Sequence, residues 1–518
     1  SMSYSPSLGS SLTNTKMRTP EHISDFSGMC SVCTASCIGT CEIGLSAVRG
    51  SEAIYPFETD KNQFASEKSY PLDFSHFNIN GRVFGALGCP EDANEATFPK
   101  ANIAVDFGIN NKIKLKAPII LPAMAKLNWK DYYAGAALSG VLVVIGEDAV
   151  AKDKELVLEN GKVAGSPLLK EMVSSFRQYY RGFGDIILQG NYDDENLGVL
   201  DYAIKELGVK TVELKFGQAA KGIQGMGRVK DIDAALEYQK KGYLVYPDPS
   251  DPEIAKNYKE GKGQVFEKIG KLPMWNEDIL INRVKELRKL GAERICFKTG
   301  PFDPKDLIRI LKIASKAGVD LVTFDGAGGG SGNSPVKMMN EWGIPTVYLE
   351  SLLYNILKRM KEKNYNLPQV AITGGFAMED QVYKGLALGA PYINIIGIGR
   401  AAMAAAMAGK QIGDLMMEGM IPKEYLRFGT AKEEVFGDIR ELKLLYGEDA
   451  LNISTGAVGL YSYINRIAAG LKQLMALNRK FSLEYIDRSD IIPLTEIASK
   501  VTGLEAVYRY NNELDKEI

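Results

Sequence analysis

Eight short apolar runs recur along the chain: 117–122 (APIILP), 141–145 (VLVVI), 185–189 (DIILQ), 210–216 (KTVELKF), 294–298 (RICFK), 319–324 (VDLVTF), 369–373 (QVAIT) and 392–398 (YINIIGI). Most are nearly continuous in apolar residues rather than alternating, the pattern of strands buried on both faces. Between them lie stretches with apolar residues at helical spacing, among them 200–208, 277–290, 304–317 and 378–389. Strands alternating with helices predict a parallel sheet covered by helices, and eight such units predict an α/β fold of the closed (β/α)8 TIM-barrel type over 114–415. An open doubly wound sheet is the alternative. The connection 217–293 is too long for one βα loop, and its YPDPSDPE run and Trp275 predict an excursion over the barrel mouth.

The flanks read differently. Residues 1–19 are rich in Ser and Thr and predict a disordered leader; 20–113 form a cysteine-rich extension; 416–518 predict a mostly helical segment. Hydrophobic residues at 45% and charged residues at 24% describe a globular chain, and a formal net charge of −2 gives no overall attraction to nucleic acid or anionic membrane. No run approaches the roughly 20 apolar residues of a membrane span, and the N-terminus has no secretory pattern, so a cytoplasmic protein is expected. The 52 glycines gather in a few short runs, which points to sites rather than linkers.

In a barrel of this type the site lies at the C-terminal ends of the strands. There the sixth run is followed by Asp325, Gly326, Ala327, Gly328, Gly329, Gly330, Ser331, Gly332, Asn333, Ser334 and Pro335. Glycines allow backbone to approach a flat ligand and expose N–H donors to oxyanions. Gly374 and Gly375 follow the seventh run; Gly397, Gly399 and Arg400 end the eighth and precede a strong helix former, AAMAAAMAG. Loop amides and a helix N-terminus at the last two strands suit a phosphate, with Arg400 adding charge; FMN and a sugar phosphate both fit. Lys298 ends a buried run, as a surface lysine or as a cation facing a flavin ring. Lys215 and Lys221 bracket FGQAAKG and Glu147 ends the second strand, a set that suits a dicarboxylate or amino acid, or a structural ion pair. Met124 and Gln189, near the ends of the first and third runs, are further expected cofactor contacts.

These segments resemble the FMN-binding synthase domain of glutamate synthase. VDLVTFDGAGGGSGNSP (319–335) is similar to that family's ADIIQISGHDGGTGASP-like segment, and ELKFGQAAKGIQG (213–225) to its IKLGQGAKPGEGG-like segment. FKT around Lys298, TGGF (373–376), GIGRAAM (397–403) and IGEDA around Glu147 resemble its VKL, DGG, GTAAL and TGEGG elements. The likeness covers roughly 110–410 in strand order. It implies that Gly326, Gly329, Gly330 and Ser331 line a flavin, that Gly374, Gly375, Gly399 and Arg400 hold its phosphate, and that Lys298 contacts the ring. It also implies that Lys215, Lys221 and Glu147 take the place of the 2-oxoglutarate site. Departures are equally specific. Ala327 and Gly328 replace a histidine and an aspartate, an arginine expected after AKG has no counterpart in DIDAALEYQKKGY, and the cysteines expected over 397–420 are absent. The chain is expected to work without the glutaminase half, which puts glutamate formation in doubt more than FMN.

Cys30, Cys33, Cys37 and Cys41 form a C-x2-C-x3-C-x3-C run close to those that hold iron–sulfur clusters. A cluster, 4Fe-4S by its four thiols, is the expectation; structural zinc or redox-active thiols are alternatives. Cys296, within a strand, reads as core. Only His22 and His76 are present, so a histidine-based metal centre or serine–histidine chemistry is poorly supported. Three functions follow: an FMN and iron–sulfur oxidoreductase acting on a small polar substrate with a redox partner such as a ferredoxin; a non-redox barrel enzyme on a phosphorylated metabolite, stapled by zinc; or an electron-transfer subunit of a larger complex, docked through 455–471. A homo-oligomer is compatible with each.

Overall fold

In the computed structural model the described residues are 42–55, 68–123, 128–219, 226–262, 266–329 and 334–518. The eight apolar runs form the strands of a closed barrel: β1 (Ile119–Leu121), β2 (Leu142–Ile145), β3 (Asp185–Gly190), β4 (Thr211–Lys215), β5 (Arg294–Thr299), β6 (Leu321–Asp325), β7 (Gln369–Thr373) and β8 (Ile393–Gly397). Each pairs in parallel with the next, and β8 closes on β1 with Ile396 opposite Ile119. The open-sheet alternative is thereby excluded.

Each strand is followed by a helix: α1 (Trp129–Ser139), α2 (Pro167–Arg177), α3 (Val199–Leu207), α4 (Glu277–Leu290), α5 (Pro304–Ala317), α6 (Thr346–Glu362), α7 (Glu379–Gly389) and α8 (Arg400–Met417). Local chemistry sets their ends. At α5, Asp303 accepts the Lys305 N–H, Pro304 opens the first turn, and Gly318 stops the helix in the left-handed region. Its face Leu307, Ile310, Leu311 and Ala314 is buried against the barrel.

Within the barrel, Ile120, Leu142, Val144, Ile187, Cys296, Leu321, Ala371 and Ile395 share an apolar core with Phe107 and Leu115. Those last two belong to an antiparallel hairpin, Val105–Phe107 with Ile113–Leu115. It is tied to strand starts: the Gly108 N–H donates to Gln369 Oε1 at 2.8 Å and the Ile109 N–H to Asp320 Oδ1 at 2.9 Å. The N-terminal end of the barrel is therefore closed by this hairpin and by an ion pair at the strand starts, Arg294 Nη2 to Asp185 Oδ2 at 3.3 Å, and a second set of polar side chains lies toward the other end.

The long connection after β4 is more than a loop. Met226–Val229, Phe266–Ile269 and Leu244–Tyr246 form an antiparallel sheet with the Phe266–Ile269 strand in the middle, and Ile232–Lys240 and Pro252–Lys259 are helices. Ala235, Tyr243 and Phe266 are buried. After α8 the chain runs through short helices to α9 (Thr455–Leu477), which packs on α8 and α1. Glycines make that approach close: a Cβ at Gly409 would stand 2.4 Å from the Thr455 carbonyl oxygen. The helical reading of 416–518 does not include its strand Ile491–Pro493, which pairs antiparallel with Phe77–Ile79. No helix among the described residues is long and apolar enough to cross a membrane.

Glu350 on α6 is fully buried, and neither carboxylate oxygen has a hydrogen-bond partner. Burial pushes its carboxyl well above the usual range, with Arg488 opposing. A raised folded pKa favours folding at low pH and is lost as pH rises through it. Glu350→Gln is therefore expected to raise the melting temperature more at pH 8 than at pH 5; an equal change at both would show that Glu350 does not titrate in that window.

Candidate active site

The period of two along a strand puts Glu213 and Lys215 of β4 on one face, and the barrel register sets Gln189 of β3 beside Glu213 and Lys298 of β5 beside Lys215. All four are buried. Thr323 follows Lys298 in register on β6. These side chains form a polar layer above the apolar plug, at the end where the connecting loops converge.

The layer is incompletely satisfied. Gln189 Nε2 donates to Glu213 Oε1 at 2.7 Å. Gln189 Oε1, Glu213 Oε2 and Thr323 Oγ1 have no hydrogen-bond partner. Buried polar atoms without partners are costly in folded proteins, and three pointing into the barrel interior fit a polar ligand edge. Burial pushes the Glu213 carboxyl above its ordinary range, opposed by the Lys298 cation, the Gln189 hydrogen bond and Lys215.

On the adjacent rim Lys215 Nζ pairs with Glu147 and donates to Gln218 Oε1 at 2.7 Å. The two predicted residues are thus brought together. Lys221, Met124, Gly330 and Ser331 lie outside the described residues, as do Cys30, Cys33, Cys37 and Cys41. Among the described residues no group of three or more His, Cys, Asp or Glu could hold a metal ion. Glu213 and Gln218 were missed in the sequence. Glu213 could have been found, because a glutamate two residues before Lys215 shares its face.

The glycine elements converge next to this layer. Gly326 donates its N–H to the Thr373 carbonyl at 2.8 Å, joining the ends of β6 and β7. A Cβ at Gly329 would lie 2.9 Å from Gly374 Cα, and one at Gly397 would lie 2.6 Å from Thr373 Cβ. Gly374 has φ +120°, which a side chain rarely adopts. Above Gly375 a Cβ would meet nothing within 4 Å, so space remains over the β7 turn. Asp325 Oδ2 accepts the Ala219 N–H at 2.8 Å and ties the β4 loop to β6. Gly399 caps α8 without a side-chain hydrogen bond, leaving first-turn N–H groups for an anion, and Arg400 opens that helix at the surface.

A strap from the N-terminal extension crosses the same loop. The ring of Tyr70 lies 3.3 Å from where a Cβ on Gly328 would be, and Phe74 packs on Phe376 with ring centroids 5.2 Å apart. Upstream, Tyr55 is buried beneath Arg228 of the excursion, 4.8 Å from guanidinium carbon to ring centroid.

FMN fits this donor set. Gln189, Glu213, Thr323 and Lys298 offer donors and acceptors to a polar ring edge, and the Gly374–Gly375 turn with the uncapped α8 N-terminus offers donors to a phosphate.

Comparison with known proteins agrees over part of the chain. Residues 272–411, which include β5 to β8, match the family described as a conserved region in glutamate synthase. The archaeal-type glutamate synthase (NADPH) of Dehalococcoides mccartyi is 36% identical over 91 residues, 17% of each chain. A glutamate synthase large subunit-like protein of Bacillus subtilis is 25% identical over 122 residues, 23% of each chain. The match thus spans less than a quarter of either relative. Among solved structures, the flavin-binding domain of baker's yeast flavocytochrome b2 is similar at 14% identity and TM-score 0.46, covering 85% of this chain and 81% of that one. (S)-Mandelate dehydrogenase is similar at 11% and 0.43, covering 81% and 89%. Residues 272–411 carry the lysine strand, the glycine loop and both glycine turns, and over that stretch the chain is similar to the conserved region of glutamate synthase.

Proposed function

We propose that this protein is an FMN-dependent oxidoreductase of the glutamate synthase type, acting on a small oxo acid or amino acid. The observation that carries the reading is the two-ended mouth: unpartnered buried polar atoms beside Lys298 at one end, and glycine turns with an uncapped helix N-terminus at the other. FMN, when bound, supplies hydride or single-electron transfer. Lys298 places a cation where negative charge on the ring would develop, and Gln189 and Thr323 fix the ring edge. Gly374, Gly375, Gly399 and Arg400 hold the phosphate, while Gly326 and Gly329 let backbone approach the ring. Lys215 and Glu147 bind the polar groups of the substrate.

The four cysteines Cys30, Cys33, Cys37 and Cys41 hold an iron–sulfur cluster in this reading, loaded by a redox partner such as a ferredoxin. Support for that role is their spacing and the packing of the segment just after them, Tyr55 on Arg228, against the excursion. Anaerobically purified protein is expected to show flavin absorbance in the visible range, release FMN on denaturation, and contain about four iron atoms per chain, the 4Fe-4S stoichiometry. Colourless protein would overturn the flavin; zinc in place of iron would overturn the cluster and favour a non-redox barrel enzyme.

A further inference from the structure

Asp148 has φ +63° without being glycine. Such a backbone persists only where surrounding contacts hold it, and it tends to mark functional sites. The contacts here come from two directions. From the barrel, Asn191 Nδ2 donates to Asp148 Oδ1 at 3.2 Å, and the Asp148 N–H donates to Asp194 Oδ2 at 3.2 Å. From the excursion, Lys268 Nζ lies 2.9 Å from Asp148 Oδ2, and the Tyr243 hydroxyl donates to Oδ1 at 3.4 Å. Lys268 is sandwiched by aromatics, 4.9 Å from the Tyr238 ring centroid and 4.7 Å from that of Tyr243. Burial disfavours both charges, yet Lys268 keeps the Asp148 carboxyl below its usual range and Asp148 keeps the Lys268 ammonium above its own.

The rest of that interface is of the same kind. Lys241 Nζ donates to the carbonyls of Ala151 and Asp153 at 2.8 and 3.2 Å, and Lys271 Nζ stands 3.6 Å from Asp193 Oδ1. Lys241 and Lys268 of the excursion thus grip the loop that follows β2, and Lys271 reaches the turn that follows β3. The residue before Asp148 is Glu147, whose carboxylate pairs with Lys215 at the mouth. The direction taken by the chain at Asp148 therefore decides where Glu147 stands.

We infer that Asp148 is a positioning residue: held by Lys268 and Tyr243 of the excursion, it keeps Glu147 beside Lys215, so that the mouth presents a fixed anion–cation pair that selects a zwitterionic α-amino acid over a dicarboxylic oxo acid. The chemistry is direct. An amino acid offers an ammonium to Glu147 and a carboxylate to Lys215. An oxo acid of the same skeleton offers no cation, and its carboxylate must compete with Glu147 for Lys215. The inference rests on the proposed assignment of Lys215 and Glu147 to substrate, and it names the substrate class.

The test is calorimetric titration of the purified full chain with L-glutamate and with 2-oxoglutarate, which share a carbon skeleton and differ by amine against ketone. Wild type is expected to bind glutamate more tightly. Asp148→Gly, which accepts the same backbone turn but loses every side-chain contact, is expected to shift the ratio of the two affinities toward the oxo acid by about tenfold. Lys268→Met is expected to shift it the same way, and Asp148→Asn, which keeps the Asn191 and Tyr243 contacts, to shift it less. If Asp148→Gly does not fold by thermal melting, Lys268→Met and Tyr243→Phe carry the test. A ratio unchanged while both affinities fall together would overturn the inference, as would a wild-type preference for the oxo acid. Binding is read without flavin absorbance, so a colourless protein that still discriminates the two ligands would sink the flavin reading and leave this one standing.

Discussion

Replacing Gly374 with alanine is expected to give a folded protein that no longer retains flavin. Gly374 stands at φ +120°, and an added Cβ would lie 2.6 Å from Thr346 Oγ1 and 2.7 Å from the Gly326 carbonyl oxygen. Neither neighbour is free to leave. Thr346 Oγ1 donates to the Gly374 carbonyl at 2.8 Å, and Gly326 is bound to Thr373 at the same junction. The turn must therefore move, and the turns after β6 and β7 move with it. Backbone strain and overpacking of this kind cost about 2–4 kcal/mol. Transferred to ligand affinity, that is roughly a thirtyfold to thousandfold loss. The measurement is the flavin-to-protein ratio after gel filtration, with a melting curve taken beside it. Full flavin content in Gly374→Ala would remove this turn from the phosphate site.

The second large effect is at Lys298. Exchange for methionine keeps the volume and removes a buried cation placed between Lys215 and Thr323 in register. A preorganised charge facing developing negative charge contributes about a hundredfold to a thousandfold to turnover, so kcat of Lys298→Met is expected to fall by that amount with KM little changed. The flavin midpoint potential should fall as well, because the reduced ring loses a stabilising cation. Glu213 provides a check on the same variant. Lys298 now opposes the upward push that burial gives this carboxyl, so without Lys298 its pKa must rise further and the neutral acid must persist to higher pH. Any limb of the pH–rate profile governed by Glu213 should move to higher pH in Lys298→Met and return in Lys298→Arg. A potential and profile unchanged from wild type would place Lys298 away from the reacting ring.

The barrel was legible because its signal is local. Strands buried on both faces need continuous apolar side chains, so VLVVI and VDLVTF announce themselves, and a charged residue closing such a run, as Lys298 does, stands out. The glycine turns were legible for the same reason: the conformations they adopt are restricted by residue type. What escaped depends on distance in sequence. Glu213 shares a face with Lys215 two residues on, but its partner Gln189 is set beside it only by the register of β3 on β4. The left-handed turn at Asp148 has no local signature, since its partners come from Asn191 and from the excursion. The sheet of the excursion escaped because its strands are only three or four residues long and pair across intervening helices. Ile491–Pro493 is three residues long, too short to be distinguished from coil without Phe77–Ile79.

That last pairing has a consequence for how the molecule is made. Asn80, one residue past the first strand, donates to the Ser489 carbonyl across 409 positions of chain, and the strap beginning at residue 68 runs from the Tyr70 contact at the glycine loop into this joint. Pairings this distant close late in folding, because their loop entropy is met only when the intervening structure is already in place. On the ribosome the early strand emerges without its partner and waits for nearly the whole chain to follow. The covering over the glycine loop is therefore anchored through a pairing that closes only once most of the intervening chain is in place.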